Sequence, residues 1–297
     1  MLKVRDISIP KGVLNHLLNQ QSKIDIITDY EQKVRLSKTL WQNKKKSNAQ
    51  KSAFNRIEKE LQKIAIGSSG YCNYCEANIG TNIEHVYPRG LFPGNTFLWD
   101  NYLWACKQCN GRHKVAQFAV FESLNSSKRI KLVKDYNFIP PPNDDTVFIN
   151  PRVDNPMDYI KLDLQSGLFQ IIEKNANSRA YKRAKYTLEV LQLNLREGLI
   201  EDRKKAIKNY FVLFQNYLKI QNADSLEVLK KCLTDTNYRL ANVSLEFEKS
   251  RLSLLFQKSI LSQKHLTVWK EMQRQAANLE VLKTMFDEFP EALKWSY

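Results

Sequence analysis

The sequence predicts a mainly helical α+β protein in which a small cysteine-clamped core is embedded between N- and C-terminal helical regions. Three observations predict it. Glycine and proline are scarce, nine of each in 297 residues, and Leu, Lys, Gln and Asn are abundant, a composition that favours helices. Apolar residues recur at helical spacing through most of residues 13–65 and 177–297. Between these stretches, residues 71–114 hold four of the five cysteines, as Cys72-x-x-Cys75 and Cys106-x-x-Cys109. The expected organisation is a helical region over 1–70, a core with a loop-and-strand extension over 71–175, and a helical region over 176–297.

Taken in order, the chain begins with a short apolar-rich run, Leu2, Val4, Ile7 and Ile9, that stops at Pro10-Lys11-Gly12. From Val13 the spacing turns helical, with Val13, Leu14, Leu17 and Leu18 expected on one face. His16 lies in this element and reads as an ordinary surface or core histidine. Residues 29–65 predict one or two long helices, with Leu40 and Trp41 on an apolar side and Phe54, Ile57, Leu61 and Ile64 at helical spacing. Lys44-Lys45-Lys46, Lys51 and Arg56 make this stretch basic, either a solvated face or a phosphate-contacting patch beside an active site. Gly67-Ser68-Ser69-Gly70 breaks the helix.

In the core, Thr81 to Tyr87 predicts the first strand of a hairpin with Pro88-Arg89-Gly90 as its turn. Pro93-Gly94-Asn95 is a loop, Trp99 to Trp104 carries Asn101, and Asn110 opens a helix that includes His113 and Lys114. After Phe121 the pattern is irregular. Lys128, Arg129, Lys131 and Lys134 form a second basic cluster, and Pro140-Pro141-Pro142 is a stiff break. Ile160 to Leu164 and Leu168 to Ile171 read as strands joined at Gly167. The remainder reads as helices, with a short strand at the alternating Val243, Leu245 and Phe247 as a minority reading. Cys232 reads as a small buried apolar residue, and the aromatics of residues 289–295 as helix-packing groups.

A CxxC pair sets two thiolates on one tight knuckle, and two knuckles close a tetrahedral S4 site suited to Zn2+. The thirty residues between Cys75 and Cys106 exceed the usual ribbon spacing, so an inserted structure must fill them. The net charge of +15 and pI near 9.5 point to an anionic partner, most simply nucleic acid. No run of about eighteen apolar residues appears, so no membrane span is expected. Met1 to Asp6 lacks an apolar signal segment, and paired CxxC cysteines then read as metal ligands in a reducing cytoplasm.

The order of residues in the core resembles the zinc-supported HNH endonucleases, the ββα-metal fold. The elements that carry the resemblance are Cys72/Cys75, Glu84-His85-Val86-Tyr87-Pro88, Asn101-Tyr102-Leu103, and Cys106/Cys109-Asn110, with Asn101 five residues before Cys106. The resemblance implies metal-dependent phosphodiester hydrolysis, of DNA first. It makes His85 the general base, Asn101 the residue that holds the loop and orients it, and Glu84 and Asn110 the ligands of a catalytic Mg2+ or Mn2+. His113, one turn beyond Asn110, is a further candidate ligand, and Arg89, Arg112 and Lys114 are candidates for holding the phosphate. Cys72, Cys75, Cys106 and Cys109 would hold a structural Zn2+.

Further pieces, from Leu2-Lys3-Val4 to Ile149-Asn150-Pro151, Asp154-Asn155-Pro156, Leu164-Gln165-Ser166-Gly167 and Leu193-Asn194, are similar to the PtuB-like HNH nucleases of the Septu and retron anti-phage systems. That resemblance implies a separate SMC-like, PtuA-like ATPase as partner, since no GxxxxGK[ST] motif occurs in this chain. The rival reading is a non-catalytic zinc subunit that binds nucleic acid or docks a partner.

Overall fold

In the computed structural model the described residues are 1–5, 7–65, 67, 70–123, 126–130, 138–233, 236, 238–241 and 244–296. Lys131 and Lys134 of the second basic cluster, Ser68 and Ser69 of the breaker, and Val243 lie outside them.

The N-terminal region is three helices: α1 (Lys11–Asp25), α2 (Tyr30–Gln42) and α3 (Asn48–Lys63). Local chemistry starts the last two. Asp29 accepts a hydrogen bond from Gln32 N, and Ser47 and Gln50 form a reciprocal capping box. On α3 the residues Phe54, Ile57 and Leu61, with Ile64 just beyond it, are fully buried, as their spacing predicts. Of the four apolar residues expected on one face of α1, Val13 and Leu17 are buried, with Gln20, Gln21 and Ile24 further along, while Leu14 and Leu18 face outward. The apolar stripe of α1 is therefore narrower than the sequence reading made it, because the core touches one i, i+4 row and not the adjacent one.

The strand β1 (Asn82–His85) pairs antiparallel with β2 (Tyr102–Ala105), with His85 opposite Tyr102 and Glu84 opposite Leu103. Both strands are shorter than the sequence stretches suggest, because Trp99–Asn101 closes into a 3-10 turn before β2. The hairpin rests on α3. Gly80, just before β1, lies so close to the Trp104 indole that a Cβ there would overlap the ring. A π-helical turn, Gln108–Lys114, follows β2.

A stretch that carries no sequence assignment up to Phe121 and reads as irregular beyond it forms a second hairpin, β3 (Phe118–Ser123) with β4 (Ser126–Ile130). Phe118 to Phe121 are all buried, so the run is apolar on both faces and lacks the alternation that announces a strand. The extension forms as expected: β5 (Ile160–Leu162) pairs with β6 (Phe169–Ile171), and Gly167 supplies the left-handed turn at φ 71°.

The remaining elements are helical: α4 (Arg179–Leu191), α5 (Glu197–Asn222), α6 (Leu226–Cys232), α7 (Leu245–Ser262), α8 (Leu266–Arg274) and α9 (Glu280–Glu288). Leu245 and Phe247 thus belong to a helix capped by Ser244, and the minority strand does not form at them. Cys232 is half-buried, more open than its composition-based reading. Trp269, Trp295, Phe214 and Phe286 form an aromatic cluster among these helices. Most buried apolar residues from Met1 to Trp295 form one contiguous core that draws on all three sequence regions, and Leu91, Phe118 and Val120 form a small separate cluster. Among the described residues no helix is long and apolar enough to cross a membrane.

Candidate functional site

The first knuckle is built by its backbone. Cys72 N donates to Asn78 O and Glu76 N to Cys72 O, with Glu76 in the left-handed region at φ 59°. Asn73 ties the knuckle to β2: its backbone N donates to Trp104 O, and its Oδ1 accepts from Trp104 N at 2.9 Å. Glu76 fastens the same knuckle to α8. Its carboxylate accepts from Thr267 N at 2.9 Å and pairs with the Met1 amine at 2.6 Å.

The second knuckle begins at Cys106, where β2 ends. The four sulfurs of Cys72, Cys75, Cys106 and Cys109 are buried and lie within 4.8 Å of one another, with Cys75 and Cys106 at 3.8 Å. A zinc tetrathiolate with bonds of about 2.3 Å has S–S edges of roughly 3.8 Å, so the cluster fits that ion. Hydrogen bonding from neighbouring thiols pulls Cys75 well down and Cys106 to about 7, while burial pushes Cys72 up and the hydrogen bond with Cys106 pushes Cys109 up.

Sequence reasoning missed the cations around this centre. Arg196 Nη1 donates to Cys109 Sγ at 3.3 Å. Arg203 is buried, with its Nε and Nη1 unpartnered among the described residues, and burial depresses it to about 10 despite the nearby Glu76 and Cys75. A half-buried and a buried guanidinium suit a tetrathiolate whose charge would exceed that of a divalent metal. Arg196 and Arg203 are separated from the cysteines by some ninety residues of sequence, and no local motif announces them.

On the other side of β1 lies a cavity of about 1100 Å3, lined by Glu84, His85, Arg89 and Asn110 among others. All four residues of β1 line it, so Glu84 and His85 both reach it although they are neighbours on the strand. The His85 ring accepts no water-exposed role in the free protein; only 6% of the residue is exposed. Its Nε2 lies 3.0 Å from Thr96 O. A carbonyl only accepts, so Nε2 carries the proton and Nδ1 is left as the ring's acceptor. Burial first, then Arg89, Lys114 and Lys44, lower its pKa to about 3, with the Thr96 carbonyl opposing.

The side-chain hydrogen bonds of Asn101 go to backbone and not to the imidazole. Its Oδ1 accepts from Tyr87 N at 2.7 Å, and its Nδ2 donates to Tyr87 O at 3.0 Å and Asn95 O at 2.7 Å. It thereby clips the segment after β1 to the loop that presents the Thr96 carbonyl. Tyr102 Oη donates to that carbonyl as well, at 2.8 Å.

Glu84 is 2% exposed, and its Oε1 meets Lys114 Nζ at 2.6 Å. Burial raises its pKa, with the Lys114 ammonium opposing. Lys114 itself is fully buried and also donates to His85 O at 2.8 Å; its ammonium reaches Glu84 from the protein side and does not line the cavity. Asn110, half-buried on the π-helical turn, turns its Nδ2 to Ile83 O at 3.4 Å. His113, on the same turn, sits by Arg196 and the cysteines and is not among the cavity residues. Arg112 is exposed and outside the cavity.

The cavity's basic walls come from both clusters seen in the sequence: Lys44 and Lys45 after α2, and Lys128 and Arg129 on β4. Lys46, Lys51 and Arg56 do not line it. Trp41 of α2 packs edge-on against His85, its centroid at 4.3 Å, with Lys44 Nζ 4.6 Å and the Arg89 guanidinium 5.7 Å from its own ring centre. The helical spacing marked Trp41 only as apolar.

No protein-family model matches the chain. Septu protein PtuB of Bacillus mycoides (strain KBAB4) is 28% identical over 182 residues, 56% of this chain and 55% of that relative. Septu protein PtuB of Bacillus thuringiensis is 26% identical over 141 residues, 46% of this chain and 41% of that relative. The chain spans about half the length of the curated relatives it matches, and over that half it is similar to Septu PtuB proteins.

Proposed function

We propose that the chain is a metal-dependent HNH endonuclease that hydrolyses phosphodiester bonds, of DNA first, and serves as the nuclease of a Septu-like anti-phage system. The observation that carries the reading is the meeting of His85, Glu84, Asn110 and Arg89 in one basic-walled cavity. The antiparallel pair β1–β2 followed by the π-helical turn Gln108–Lys114, with the four-cysteine cluster, supports the reading of a ββα-metal core.

The chemistry follows from the tautomer of His85. Its Nδ1 takes a proton from water as the water oxygen attacks phosphorus, the P–O3′ bond breaks, and the departing 3′-oxygen takes a proton from a second, solvent water. In the free protein the imidazole is a weak base. A phosphodiester anion in the cavity offsets Arg89 and Lys44 and raises its proton affinity, so basicity develops when substrate is present. Thr96 O and Trp41 fix the ring's tautomer and plane. Asn101 holds the loop that carries Thr96. Arg89 and Lys44 face the incoming phosphate.

For the catalytic Mg2+ or Mn2+, the carboxylate of Glu84 and the amide of Asn110 are hard oxygen donors on one wall, which suits an ion that completes its shell with water and phosphate. Such an ion supplies neutralisation of the nonbridging oxygen and of the leaving oxygen. Zn2+ at Cys72, Cys75, Cys106 and Cys109 holds the hairpin and the turn together. An SMC-like ATPase partner is proposed from the likeness to Septu PtuB proteins.

The test is cleavage of DNA and RNA panels by the chain, alone and with such an ATPase, in Mg2+, Mn2+ and chelator. Metal-dependent cleavage of DNA is expected. Intact nucleic acid under every condition would favour a non-catalytic subunit.

A further inference from the structure

Both carboxylates that line the cavity are already neutralised. Glu84 pairs with Lys114 Nζ at 2.6 Å, and Glu58 pairs with Lys45 Nζ at 2.7 Å. The other charged groups of the lining are all positive: Lys38, Lys44, Arg89, Arg129 and Lys128, the last 3.6 Å from Glu122 outside the lining. A free divalent cation entering this space meets a positive field and one carboxylate whose charge is spent on a buried ammonium. A phosphodiester strand meets the reverse, and each phosphate it brings restores the negative charge a cation needs.

We infer that the cation does not bind the free chain and is assembled at Glu84 only together with the nucleic acid, with Lys114 as the positioning residue that enforces this order. The inference rests on the nuclease reading and adds to it the regulation of the same site. Lys114 acts in two ways through one contact. It fixes Oε1 of Glu84 from the protein side, and it removes the net charge that would let the carboxylate capture a cation by itself. The outcome is a site inert toward metal until a polyanion occupies it. This prevents the chain from holding a charged catalytic centre in the absence of substrate.

The experiment measures uptake of Mn2+ by the loss of its free electron-paramagnetic signal, using the intact chain carrying His85→Ala so that DNA stays uncut. Four samples are compared: chain alone, a DNA duplex alone, the two together, and the two together with Glu84→Gln added to the chain. The expected result is no uptake by the chain alone, and in the mixture one site more than the duplex alone takes up, lost with Glu84→Gln. Equal uptake with and without DNA overturns the ordering while leaving the nuclease reading standing. No uptake beyond that of the duplex overturns both. Lys114→Met should let the chain alone take up Mn2+ at least about tenfold more tightly, since a unit charge has left the carboxylate. Because Lys114 is buried and its loss can unfold the core, Arg89→Gln, which removes a cavity-wall charge, provides the second variant with the same expected direction. If both fold and neither gains affinity, the charge argument is wrong.

Discussion

The imidazole of His85 is held between an indole and a phenol: Trp41 meets it edge-on at 4.3 Å and Tyr102 at 5.2 Å. Trp41 comes from α2 and Tyr102 from β2, so the N-terminal helices form part of the wall of the proposed active site. Replacing Trp41 with Ala should cost about 3–5 kcal/mol of stability, the usual cost of emptying an aromatic core position. Trp41→Phe should retain most of the stability and still slow cleavage, because Phe restores bulk but not the full ring edge against His85. Chemical denaturation and single-turnover rates on the two variants separate the effects.

Asn101 makes three hydrogen bonds that close the loop onto the strand end. Asn101→Ala should lose about 1–3 kcal/mol, the cost of leaving buried partners unpaired. Asn101→Asp should be worse, since a carboxylate would face Tyr87 O and Asn95 O where the amide donated. Thermal melts of the three proteins check the ranking.

Zinc should be present at one ion per chain, and its removal should unfold the hairpin and loosen α4 and α5, because Arg196 and Arg203 then lose their anionic neighbour. Metal quantification and hydrogen exchange after chelation read this directly. Arg196→Ala should weaken zinc retention by about 10–100-fold, the usual effect of losing a group that hydrogen-bonds a ligand.

The pH dependence has a definite sign. His85 stays neutral in the folded protein down to about 3, whereas its unfolded value is 6.5. Between those values the unfolded chain binds the extra proton, so stability falls as pH drops below 6.5, by up to about 5 kcal/mol from this residue. His265, lowered to about 4 chiefly by burial, adds in the same direction. His85→Gln should flatten the slope of unfolding free energy against pH, measured between pH 4 and 7 by denaturant titration.

The four-cysteine cluster was legible in the sequence because its chemistry is local: two CxxC knuckles specify four sulfurs wherever the chain between them goes. Glu84, His85 and Asn110 were legible as a set through their order along the chain, and they do share a cavity. Trp41, Thr96 and Arg196 were not. Each acts through a contact made by folding, a ring edge, a backbone carbonyl and a distant guanidinium, and none carries a spacing. Lys114 read as a phosphate-facing charge because a lysine beside a motif is ordinarily solvated; its burial against Glu84 appears only when the π-helical turn folds back on β1. The hairpin β3–β4 was hidden for a related reason, since a strand buried on both faces shows no alternation.

The central claim is that His85 is the base. Its most direct test is the single-turnover cleavage rate of DNA in Mn2+ by the wild-type chain and by His85→Ala, both shown to bind DNA and to carry zinc. A loss of about 10²-fold or more is the predicted result. Equal rates for the two proteins would contradict the account.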